Sequence, residues 1–117
     1  MKRMTCYNNG FVFVYQDDRE LGSFGAKKNI DNLEELTFIG KLAYVEMGKR
    51  EEDIELLQSQ NRNLSLKIKC PLCPTVQNKH KVVINNTIYD IVNIDISRME
   101  RAMYIYLEEV MTLDNTR

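Results

Sequence analysis

No stretch of the 117-residue chain approaches the roughly 18 to 20 consecutive apolar residues that a membrane-spanning helix needs, and the N-terminus carries no apolar signal-peptide core. A soluble, intracellular protein with no membrane partner is therefore expected. Charge of one sign is also missing: 16 basic residues face 17 acidic ones for a net charge of −1. That balance removes bulk electrostatics as a means of wrapping nucleic acid. The three cysteines, Cys6, Cys70 and Cys73, are too few and of odd number for a disulfide framework, so reduced thiols are expected. His80 is the single histidine, and every Ser-His-Asp or Cys-His arrangement would have to be built on it. Neither a G-x-S-x-G, a P-loop, a dinucleotide fingerprint nor an H-E-x-x-H occurs, so the expectation is a protein that is not an enzyme and needs no cofactor. Repeats and low-complexity tracts are absent too, and one domain over residues 1–117 follows from the length.

What is present is mostly strand chemistry. Gly10–Gln16 (GFVFVYQ) alternates aromatic and β-branched residues and reads as a first strand. The polar segment after it, with Gly22 and Gly25, has no sustained period and reads as a long hairpin-like excursion or mobile loop, which leaves residues 1–35 irregular. Leu36–Met47 is again rich in strand formers, with Gly40 predicting a bend or bulge rather than a break. Lys49–Asn63 (KREEDIELLQSQNRN) changes character: it is charged, and Ile54 and Leu57 stand at helical spacing, so a short helix or a long mobile loop is expected. Asn63–Cys70 alternates, with Leu64, Leu66, Ile68 and Cys70 on one face and Ser65, Lys67 and Lys69 on the other. After the Pro71 and Pro74 breaks, HKVVI and IYDIVNI flank Asn85-Asn86-Thr87, the chemistry of a tight hairpin turn. Ser97–Met111 satisfies two templates: Ser97 and Glu100 resemble a helical capping box, while Met103, Ile105 and Leu107 alternate like a strand. The tail at residues 112–117 is polar and expected to fray. Together these elements predict a mainly β fold, with Leu66 and Ile91 pointing into one core.

Three constellations bear on chemistry. Cys70-Pro71-Leu72-Cys73 is a C-x-x-C, and with Cys6 and His80 it supplies the ligand types of a Cys3His zinc site. A zinc ribbon shows two paired knuckles, which this chain lacks, so the expected metal content is none; a small zinc-binding interaction module is the alternative. Arg50, Glu51, Glu52, Asp53 and Glu55 form a charged run, which read locally is a solvated face. The basic residues are scattered rather than interleaved with aromatics, so no base-stacking platform is expected.

The C-terminal half resembles the head-closure, or head–tail joining, proteins of tailed bacteriophages, the connector and stopper subunits. The resemblance lies in Lys81–Ile94 (KVVINNTIYDIVNI), similar to that family's basic strand, Asn/Gly turn and Y-D-I strand, with Val82, Ile84, Asn85, Asn86, Tyr89, Asp90 and Ile91 at the matching places. Arg98–Val110 is similar to its charged turn and last strand, with Tyr104 and Tyr106 in the alternation. The likeness covers roughly residues 36–111; the CPLCP segment and the first 35 residues depart from it. It implies a small antiparallel β-barrel or sandwich in which the last element is a strand. It further implies a virion structural protein: a ring below the portal or adaptor that closes the DNA channel after packaging and offers the tail-completion protein its attachment surface. Self-association would take place on the virion, whether or not the free protein is monomeric. Packaged DNA would pass without sequence-specific contact, and the protein would reside in the host cytoplasm during assembly. On that reading the run from Arg50 to Glu55 lines the channel. Another minor capsid or tail-completion role is the neighbouring reading.

Overall fold

The computed structural model describes residues 7–17 and 36–112. The excursion expected after the first strand, the end of the tail and Cys6 lie outside them, apart from Asp17 and Thr112. The elements are β1 (Gly10–Gln16), β2 (Thr37–Met47), α1 (Glu51–Gln58), β3 (Leu66–Pro71), β4 (Lys81–Ile84), β5 (Thr87–Ser97) and β6 (Ala102–Thr112). All six strands pair antiparallel in the order β1-β2-β3-β6-β5-β4, and β4 pairs back onto β1. Of the two architectures the sequence left open, this is the closed barrel.

Side-chain alternation decides what the barrel encloses. Val12 and Val14 of β1, Ile68 and Cys70 of β3, and Met103, Ile105 and Leu107 of β6 are all buried in one cluster with Val82, Ile84 and Ile91. Each fully buried aliphatic side chain of this kind contributes roughly 1.5 to 3 kcal/mol. Val76, from the connection between β3 and β4, plugs the same interior. A smaller cluster of Leu36, Val83 and Ile88 sits on the outer face, flanked by Tyr15 and Met111.

Several local expectations meet their physical causes here. β2 runs unbroken through Gly40, but its register against β1 shifts between Val14 and Tyr15, whose partners are Gly40 and Phe38, leaving Ile39 as the extra residue. Asn85 and Asn86 both adopt positive φ, 49° and 66°, as a two-residue hairpin turn requires. The Ser97 hydroxyl does accept the Glu100 N–H, at 3.4 Å, yet inside the β5–β6 turn rather than at a helix start. Residues 102–112 are a strand because each side finds a partner strand, β3 and β5.

One boundary is corrected. β3 begins at Leu66, not Asn63: the Asn63 N–H donates to the Glu108 side chain at 2.9 Å rather than to a strand carbonyl, and the chain joins the β6 backbone at Ser65, whose N–H donates to the Leu107 carbonyl at 2.8 Å. Of the two alternatives expected for residues 49–63, the short helix is the one that forms: α1, whose first turn is closed by a reciprocal cap. The Arg50 N–H donates to the Asp53 carboxylate at 3.1 Å while the Asp53 N–H donates to the Arg50 carbonyl at 3.0 Å. Acidic residues in that first turn suit the positive end of the helix dipole.

Candidate functional site

The strand registers set out two rows of side chains on the outer face of the barrel. One row runs Met47, Lys67, Tyr106, Asn93 across β2, β3, β6 and β5; the next runs Val45, Lys69, Tyr104, Asp95. Lys67 and Lys69 occupy the polar face of β3, where alternation predicts solvated lysines, yet both are only 6% exposed. Their ammonium groups lie over tyrosine rings instead. Lys67 Nζ is 5.5 Å from the Tyr104 ring centroid and 5.3 Å from that of Tyr106, and Lys69 Nζ is 5.5 Å from Tyr104.

Helix α1 supplies the charge that makes this burial tolerable. Asp53, itself 2% exposed, takes Lys67 Nζ at 2.9 Å on Oδ2 and the Tyr106 hydroxyl at 3.2 Å on Oδ1. Arg50 adds a two-pronged contact, Nε to Oδ2 at 3.1 Å and Nη2 to Oδ1 at 2.9 Å. The Arg50 hydrogen bonds, against the opposing effect of burial, and the Lys67 bond hold the Asp53 carboxyl well below the usual carboxylate range. Such a carboxylate is saturated with donors and serves as a fixed anion, not as a proton acceptor. A second pair closes the other end: Lys69 donates to Glu100 Oε2 at 3.1 Å and Tyr104 to Glu100 Oε1 at 2.9 Å. Burial lowers the Lys69 pKa, but Glu100 and Tyr104 outweigh it and the net shift is upward. Glu100 is correspondingly lowered, first by its bond from Lys69.

Between these pairs lies an open depression of about 340 Å³ lined by Met47, Arg50, Lys67, Asp95, Tyr104 and Tyr106. It offers a guanidinium edge, tyrosine surface and the exposed Asp95 carboxylate, a set suited to docking a polar surface rather than to acid–base chemistry. Sequence reasoning missed it because the residues come from four separated segments. The available signal was the pair of lysines on the polar face of β3 and the pair of tyrosines two residues apart on β6.

The expected channel run is divided by the fold. Glu51, Glu52 and Glu55 are exposed on α1, but Asp53 turns under the helix into the ion pair and Arg50 is committed to it. Asp53 therefore leaves the set of charges that α1 presents outward, because the buried Lys67 ammonium needs a carboxylate partner and Asp53 is the one that reaches it.

The residues of the family-like hairpin also separate. Val82, Ile84 and Ile91 are core and Tyr89 packs against them, Asn85 and Asn86 make the turn, and Asp90 pairs on the outside with Lys81 and with Arg62. Tyr104 and Tyr106 alone among them reach the depression.

Of the zinc candidates among the described residues, Cys70 and His80 are taken up by local roles. Cys70 is fully buried in the barrel, and burial, with a smaller effect of the neighbouring Cys73, pushes its thiol up to about 12. His80 is buried and its Nδ1 accepts the Gln77 N–H at 3.1 Å in the β3–β4 connection. Among the described residues no three His, Cys, Asp or Glu side chains come together in a metal-holding group. In comparisons with known proteins, the sequence matches no family model and no curated protein.

Proposed function

We propose that this chain is a non-catalytic structural subunit of a tailed-phage virion neck. In this role it forms a ring below the portal or adaptor, closes the DNA channel after packaging and presents the tail-completion protein with its attachment surface. The observation that carries the reading is the way the resembling segments sit in one closed barrel. The Asn85-Asn86 hairpin and the alternating β6 are adjacent strands of a single wall, and the charged segment between β2 and β3 is a helix hung outside it.

In the ring, Glu51, Glu52 and Glu55 of each subunit repeat around the channel and repel DNA phosphates, so that DNA is held back or slides without being gripped. The buried Asp53 anchors the helix that displays them. Particles assembled without this protein should be filled heads that leak DNA and fail to join tails; normal yields of joined particles would refute the proposal. A Glu51→Lys, Glu52→Lys variant should assemble and retard DNA ejection at low salt, and unchanged ejection would put α1 away from the channel.

A further inference from the structure

The ring of strands closes, but not along the whole length of β2. β1 and β2 pair from Gly10 and Tyr44 to Gln16 and Thr37, whereas β2 and β3 pair only at residues 45–47 against 67–69. Further along that register Pro71 would face Ala43, and proline has no N–H with which to continue a ladder. The chain follows β6 instead: Pro71 pairs with Ala102, and the Leu72 N–H donates to the Arg101 carbonyl at 3.0 Å. Among the described residues, 38–43 make no backbone hydrogen bond outside their ladder with β1. One edge of this part of β2 is therefore open.

The β3–β4 connection returns past that edge without filling the gap. Between them lies a cavity of about 130 Å³, lined by Val14, Ile39 and Leu42 from β1 and β2 and by Cys73 and Val76 from the connection. Residues 39–42 all border it. Successive side chains of a strand go to opposite faces, so a cavity bordered by four in a row runs along the edge. Gly40 keeps it open: a Cβ there would meet nothing within 4 Å, and its ladder partner Val14 lines the cavity on the same face. The space suits one branched aliphatic side chain.

The walls are basic. Lys41 has no carboxylate partner among the described residues, and its ammonium rests 4.4 Å from the Phe11 ring centroid. β1 carries no charged residue, residues 71–80 carry Lys79 and no acid, and the single acid of β2, Glu46, stands at its paired end. A free edge beside a side-chain pocket is the arrangement by which sheets take up an extended peptide, main-chain bonds giving affinity and the pocket giving selectivity. A second copy is a poor occupant, because pairing edge to edge would set Lys41 beside its own counterpart.

We infer that the open edge of β2 at residues 40–43 receives an extended acidic segment of a protein partner as an added strand, with one aliphatic side chain seated in the cavity beside Gly40. The inference does not rest on the virion reading, and it is tested on the purified chain without phage particles.

The probe is a synthetic peptide, Thr-Val-Asp-Leu-Asp-Val-Thr with blocked ends, titrated into the isotope-labelled full chain up to about 1 mM and followed by amide chemical shifts. Shifts should change along residues 39–43 and at Cys73 and Val76. The same peptide methylated on alternate backbone nitrogens should bind about tenfold more weakly or worse, since its side chains are kept and its ladder bonds are lost. Gly40→Val, which has an ordinary backbone conformation to occupy, puts its own side chain in the cavity. It should melt no lower than wild type and lose about tenfold or more in affinity. Lys41→Glu, on the surface, should reverse the preference between this peptide and one with lysine in place of aspartate. No shift changes at about 1 mM peptide, changes centred on another surface, equal binding of the methylated peptide, or a charge preference that Lys41→Glu leaves unaltered would each overturn the inference. So would undiminished binding to a folded Gly40→Val chain, or a wild-type dimer in sedimentation that Gly40→Val disperses, which would give the edge to a second copy.

Discussion

Asp53→Asn would leave the Lys67 ammonium, only 7% exposed in its side chain, without the carboxylate that neutralises it. Removing one partner of a buried ion pair costs about 3 to 5 kcal/mol, because the survivor keeps its desolvation and loses its attraction. The Asn amide oxygen can still accept from the Tyr106 hydroxyl, so the lower end, about 3 kcal/mol, is expected. Against a total stability of roughly 5 to 10 kcal/mol, the loss is a large fraction. With a urea slope of about 1.5 kcal/mol per molar, the unfolding midpoint should fall by about 2 M.

Removing both charges, Asp53→Leu with Lys67→Met, should bring the protein back to within about 2 to 3 kcal/mol of wild type, the remaining cost being the unpartnered Tyr106 hydroxyl and the lost cap at Arg50. With the single changes Asp53→Leu and Lys67→Met measured beside it, the double-mutant cycle should therefore give a coupling of at least about 2 kcal/mol. The pH dependence has a definite sign. The Asp53 pKa is lowered on folding, so its contribution is complete above the unfolded carboxylate pKa of about 4 and fades as pH falls from there towards the folded value. Wild type should lose stability over that acid range more steeply than Asp53→Asn, and the two should converge at the acid end. A midpoint shift corresponding to less than about 1 kcal/mol, or additive single and double variants, would refute the view that Asp53 clamps α1 to the barrel.

Other outcomes follow from individual residues. Arg101 turns the β5–β6 hairpin at φ 54°, so Arg101→Gly should relieve about 1 kcal/mol of left-handed strain, part of it offset by a freer unfolded chain, and raise the melting temperature by a few degrees; a lower melting temperature would contradict this. Ile91→Asp places an unpaired carboxylate in the barrel at a cost of several kcal/mol and should abolish folding, which a cooperative melt of soluble protein would disprove. Iodoacetamide at pH 8 should alkylate the half-buried Cys73 long before Cys70, whose buried thiol is pushed up to about 12; equal labelling in the folded protein would count against the barrel interior described for Cys70.

By itself the sequence determined the local structure wherever one period dominated. Alternation in Gly10–Gln16 named the strand but not which side faces inward, alternation in Asn63–Cys70 named a strand and its inward side, and Asn85-Asn86 named its turn because few residue pairs accept positive φ twice in succession. Ile54 and Leu57 were enough to raise a short helix within residues 49–63, though not to exclude a loop. What only the tertiary structure decided was everything set by which strand lies beside which. Residues 97–111 carried helical and strand periods together, and the open sides of β3 and β5 chose the strand. Lys67 and Lys69 read as solvated until the register put Tyr104 and Tyr106 against them and α1 above them. Asp53 could not be told from Glu51, Glu52 and Glu55, since four neighbouring carboxylates are alike in sequence and differ only in which one a folded barrel turns inward. The depression is likewise a property of closure: it gathers side chains from distant segments, and no local period records that meeting.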